Sequence, residues 1–166
     1  MRKSYLTAGL EPLNLYSMRD KNTNRFDTGV EKFKEINGTG AEASLERLKS
    51  LNPDLARFVM EFPYGDIYSR PELDIKSREI ATIAALSALG NAPKQLRVHI
   101  ECALNTGVKR QEIFEIILQM AVYAGFPAAI NAMQTVHEVF DELDNKEPVE
   151  SVGRKRGLNG RRGARI

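Results

Sequence analysis

The chain has 166 residues, enough for one domain of ordinary size, and 42% of them are apolar. One Cys and two His exclude a disulfide framework, a Cys-based zinc site and a CxxC redox pair, so no metal centre is expected. The uncharged run over 80–93 is too short and too poor in large side chains to span a membrane, and Glu11 interrupts any signal-like apolar stretch near the start. With a free thiol and no export signal, the expected compartment is the cytoplasm.

The net charge of +2 is unevenly spread. Residues 1–25 carry +3 and residues 151–166 carry +6, which leaves −7 on the body between them. The reading is therefore a basic, flexible arm over 1–25, a helical domain over 26–146, and a basic Gly/Arg-rich, disordered tail over 147–166. The tail has too little apolar area to offset the entropy of ordering it. A nucleic acid or acidic partner for 151–166 is the less favoured reading, because no aromatic interleaves the charges for base stacking.

In chain order, a first helix is predicted over 28–36, ended by Gly38, and a second from Ala41 with Leu45 and Leu48 on one face. A third opens at Asn52-Pro53 and carries Leu55, Phe58, Val59 and Phe62 at helical spacing. A short apolar-aromatic segment, 64–68, follows Pro63. Asp74 is an expected N-cap for a helix over 77–90. Three more helices are predicted over 93–105, 109–124 and 127–143, with Gly107 and Gly125 marking two of the ends. No run alternates β-branched residues, so the fold class is all-α. The helices over 77–90 and 109–124 are apolar on nearly every side. A chain of this length cannot surround both, and a homo-oligomer is expected to cover the remainder.

Chemistry requires titratable groups where water is scarce. Glu79 shares a helix face with Ile83 and Leu86, and His99 lies between Leu96 and Ala103 in the next helix. A buried carboxylate needs a partner, and a neighbouring imidazole supplies one that also passes protons. Arg78 and Arg97 are the alternative partners for Glu79. Cys102 sits one turn beyond His99 and is either a thiol activated by it or a small buried apolar residue. Tyr123 is expected to line a pocket, and His137 to be a partly exposed residue among acids. Arg70, Lys76, Arg78 and Arg97 form a cationic set suited to an anionic substrate, with solvated charge as the alternative for Lys76.

Residues 64–74 (YGDIYSRPELD), 77–90 (SREIATIAALSALG), 98–107 (VHIECALNTG) and 115–132 (EIILQMAVYAGFPAAINA) resemble the carboxymuconolactone decarboxylase family, nearest its γ-carboxymuconolactone decarboxylase branch. The resemblance spans roughly 26–143. It implies an alkylhydroperoxidase D-like, all-α domain in a ring-like trimer or hexamer. It also implies cofactor-free loss of CO2 from a small anionic lactone acid, in which the substrate's own conjugated carbonyl takes up the charge. On that scheme His99 donates the proton or stabilises the dienolate, and Glu79 orients His99 and tunes it. Arg70 and Arg78 bind carboxylates, while Tyr64 and Tyr123 line the pocket. The antioxidant branch of the wider family has a CxxC pair seven and four residues before the His. Ala92 and Gln95 stand there in this chain, so a redox role falls to Cys102 alone. A non-catalytic oligomeric binding module is the remaining alternative.

Overall fold

The structure, a computed structural model, describes residues 24–146. The expectations for the basic tail, and for the N-terminal arm up to residue 23, fall outside the described residues. Among the described residues there are helices and turns and no strand. The chain divides after Arg78 into two compact units.

The first unit opens with α1 (Arg25–Asn37), capped by Asn24, whose side-chain oxygen accepts from the Phe26 N–H at 3.0 Å. A 3-10 turn at Gly38–Gly40 leads into α2 (Ala41–Leu51). Asn52 caps α3 (Pro53–Val59) by accepting from the Leu55 N–H at 2.9 Å, with Pro53 in the first turn as its spacing predicted. The segment read as a short apolar-aromatic stretch is longer and helical. Met60–Tyr68 forms wide, π-type turns that include Pro63. Proline has no N–H to donate and its ring crowds the carbonyl four residues back, so wider turns accommodate it where an α-helix would break.

This wide segment packs closely on α1. A Cβ at Gly29 would stand 1.9 Å from the Met60 carbonyl oxygen, and one at Gly65 would stand 2.6 Å from that of Arg25. Only glycine at both positions lets the two backbones approach so closely. Buried Phe33 meets Tyr64 edge-on, with ring centroids 4.9 Å apart, and Tyr64 in turn contacts Tyr68 at 5.4 Å. Arg25 closes the far side through an ion pair to Asp66.

The helix α4 (Ile75–Leu89) begins in the first unit. Asp74 caps it as expected, accepting from the Ser77 N–H at 2.9 Å and from its hydroxyl at 2.6 Å. The capping hydrogen bonds favour the ionised carboxylate and hold the Asp74 pKa below its ordinary value. From Glu79 onward α4 belongs to the second unit, with α5 (Pro93–Asn105), α6 (Arg110–Ala124) and α7 (Phe126–Lys146). Gly90, at φ +68°, takes the left-handed conformation that ends α4 and turns the chain toward α5. Ile83, Leu96, Ile100, Ala103, Ile113, Ile117, Val136 and Val139 form one continuous core. Arg97 on α5 reaches Glu138 and Glu142 on α7 at 3.0 and 2.8 Å, and Arg110 at the start of α6 pairs with Asp144 near the end of α7. These pairs link α5 and α6 to α7 at the protein surface.

No helix among the described residues is long and apolar enough to cross a membrane.

Candidate active site

Glu79 stands on the fifth residue of α4, on the stripe that continues through Ile83 and Ser87. All three are buried, and Glu79 is 0% exposed. His99 lies in the middle of α5. Its Nδ1 is 2.9 Å from Glu79 Oε2, so the two groups that the sequence places on consecutive apolar helices do meet. The ring is one-fifth exposed, and the pair therefore joins a closed interior to the protein surface. With the Nδ1 proton donated to Glu79, the carboxylate fixes the ring's tautomer and orientation, as the orienting acid of a catalytic dyad does. Glu79 Oε1 is buried with no hydrogen-bond partner.

Cys102, one turn after His99, turns to the same place. One ligand atom from each of Glu79, His99 and Cys102 lies within 4.8 Å of the others. The thiol is 1% exposed. Burial pushes its pKa from 9.0 up to about 12, with the negative charges of Glu79 and Glu101 adding to the effect. It is a protonated thiol at neutral pH, and the reading of a thiolate activated by His99 does not fit that environment.

The remaining predicted residues are placed as follows. Arg97, the alternative partner for Glu79, is engaged with Glu138 and Glu142. Arg78, in the first unit, donates from Nε to the Leu73 carbonyl at 3.0 Å and from Nη2 to the Arg70 carbonyl at 3.1 Å, with its guanidinium over the Tyr68 ring. It holds the turn that carries Arg70. Arg70 is exposed, and its Nε lies 3.6 Å from Glu72. Tyr64 is buried in the aromatic contacts of the first unit. Tyr123, expected to line a pocket, is 77% exposed in the single chain. His137 is exposed beside the Phe114 ring.

One residue was passed over in the sequence. Ser87 is buried with an unpartnered hydroxyl and lines a cavity of about 20 Å³ with Leu86, Leu96, Ala132 and Thr135. That volume admits one water molecule. The signal was present in the spacing, since Ser87 lies eight residues after Glu79 on the same face.

Comparison with known proteins agrees with this architecture. A model of the carboxymuconolactone decarboxylase family matches residues 53–138. A 4-carboxymuconolactone decarboxylase of Acinetobacter baylyi is 39% identical over 120 residues, covering 72% of this chain and 89% of the relative. A nitrosuccinic acid decarboxylase of Metarhizium robertsii is 30% identical over 128 residues, covering 74% and 89%. An uncharacterised 15.0 kDa protein of Paracoccus denitrificans is 30% identical over 120 residues, covering 72% and 90%. The helices that carry Glu79, His99 and Cys102 all lie inside the matched region, and the chain belongs to the carboxymuconolactone decarboxylase family.

Proposed function

We propose that this protein is a cofactor-free decarboxylase of a small carboxylated lactone, with 4-carboxymuconolactone as the first candidate substrate. The observation that carries the reading is the 2.9 Å contact between a wholly buried Glu79 and a partly exposed His99. Two relatives with different substrates in their names are both decarboxylases, which supports the reaction type ahead of the substrate.

The chemistry is short. The bond between the ring carbon and the carboxylate breaks, and CO2 departs. The electron pair spreads through the alkene onto the lactone carbonyl as a dienolate. A protonated His99 then delivers one proton to carbon and is left neutral, and solvent restores its proton. Glu79 accepts from Nδ1–H throughout and keeps the ring aimed. The family resemblance gives Arg70 and Arg78 the role of binding substrate carboxylates and gives Tyr64 and Tyr123 that of pocket residues.

The chain carries an exposed apolar face suited to a second copy of itself. Leu118, Val122, Tyr123, Phe126 and Ile130 are large apolar side chains exposed where α6 passes into α7. A patch of this kind favours self-association into the ring-like trimer or hexamer that the family resemblance implies. A cytoplasmic setting suits the single free thiol.

The test is CO2 release from 4-carboxymuconolactone and, in parallel, from nitrosuccinate by the purified chain. Turnover of either supports the reaction type, and turnover of the lactone supports the substrate. Turnover of neither defeats the proposal. An antioxidant role through Cys102 is the weaker reading, because a buried thiol with a pKa of about 12 is a poor nucleophile toward peroxide.

A further inference from the structure

Counting residues excludes a zinc site built from several cysteines. It does not exclude a mixed one, for which one Cys, one His and one carboxylate suffice. The fold brings one of each together. His99 and Cys102 are three residues apart on α5 and share a face, and Glu79 approaches from α4. Their ligand atoms lie within 4.8 Å of one another, and the closest pair is 2.9 Å apart. In a tetrahedral site with bonds of about 2.0–2.3 Å, neighbouring ligand atoms are separated by about 3.3–3.8 Å. That spacing falls between the closest separation in the trio and its upper bound.

A second observation is independent of the spacing. Glu79 is wholly buried and its Oε1 has no partner, although burial of a polar oxygen without one is costly. The oxygen belongs to a carboxylate whose other oxygen already faces His99. A dication bound here satisfies Oε1 and compensates the buried negative charge in one step.

We infer that Glu79, His99 and Cys102 form a binding site for a borderline-soft divalent cation of the zinc class, and that its occupancy switches the Glu79–His99 pair off. Binding takes the thiol proton of Cys102 to solvent and ties up one nitrogen of His99 together with the Glu79 carboxylate. No electron changes hands, and removing the metal restores the resting pair. The nitrogen and sulfur donors select against Mg2+ and Ca2+. The binding half of this inference stands without the decarboxylase reading, whereas the inhibitory half rests on it.

The test is titration of the full, untagged chain with Co2+, followed by displacement with Zn2+. Cys102 is the only cysteine, so a thiolate-to-cobalt charge-transfer band in the near ultraviolet identifies this site. The expected result is a band that saturates near one equivalent per chain, is abolished by Zn2+ and persists in excess Mg2+. Zn2+ affinity measured by calorimetry is expected to fall at least tenfold in Cys102→Ser and in Glu79→Gln, with each variant's fold checked by circular dichroism. A chain that shows no charge-transfer band overturns the proposal, as does Zn2+ affinity unchanged in both variants. If the chain turns over substrate, Zn2+ is expected to inhibit the wild type and to inhibit Cys102→Ser at least tenfold more weakly. Equal inhibition of the two removes the switch. If it turns over none of the substrates, the cobalt spectrum still decides the binding site by itself.

Discussion

Glu79 Oε2 and His99 Nδ1 stand 2.9 Å apart between α4 and α5, with the carboxylate wholly buried and the imidazole reaching the surface. The arrangement couples stability to chemistry, since each group is the other's compensation for burial. His99→Ala is expected to reduce decarboxylation by about 10²-fold or more, the scale of a lost general acid. It is also expected to destabilise the fold by about 1–3 kcal/mol, because Glu79 is left unpartnered. Glu79→Gln keeps the shape and a hydrogen bond but removes the charge, and a smaller activity loss is expected. Initial rates of CO2 release and thermal melts of the three proteins check both effects.

The buried thiol gives a pH dependence with a definite sign. Folding raises the Cys102 pKa from 9.0 to about 12, so between these values the native chain retains a proton that the unfolded chain releases. The contribution is fully present below pH 9 and is lost as pH rises toward 12. Urea midpoints at pH 7 and pH 10.5 are expected to differ less for Cys102→Ala than for the wild type. Iodoacetamide at pH 8 is expected to leave the native thiol unmodified and to label it once the chain is unfolded. Rapid labelling of the native protein contradicts the assigned environment.

Two glycines separate a steric requirement from a general preference. A Cβ at Gly29 would overlap the Met60 carbonyl, whereas one at Gly40 meets nothing within 4 Å. Gly29→Ala is expected to cost about 1–3 kcal/mol or more, as overpacking against backbone does. Gly40→Ala, at a negative φ that alanine adopts freely, is expected to be neutral or to stabilise by about 0.4–1 kcal/mol. Chemical denaturation of the two variants discriminates the cases.

The exposed apolar face supplies a test of self-association. Val122 is 77% exposed and Phe126 is 73% exposed in the single chain. Val122→Glu and Phe126→Glu are expected to shift the wild-type sedimentation coefficient toward that of a monomer, with helicity retained. An unchanged oligomer in both variants places the interface elsewhere.

The ion pairs between α5 and α7 are expected to matter little at ordinary salt. Arg97→Ala removes contacts to two half-exposed carboxylates, and a loss of about 0.5–1 kcal/mol is expected, diminishing as salt is added. Denaturation midpoints at low and high ionic strength measure it.

The sequence by itself determined the helices, because apolar spacing, Asp74, Asn52-Pro53, Pro93 and the glycines at helix ends are local signals that act within a turn or two. It also brought Glu79 and His99 into view, since each is a titratable group on an apolar face of consecutive helices. Only the tertiary structure decided the partners. Arg97 goes to α7 and not to Glu79, Arg78 turns back onto carbonyls of its own loop, and Cys102 joins the pair as a protonated thiol. The wide turns of Met60–Tyr68 follow from accommodating Pro63 against α1, which no local pattern encodes. Spacing along one helix fixes which face a side chain occupies, but the direction of its final bonds depends on what the neighbouring helix presents.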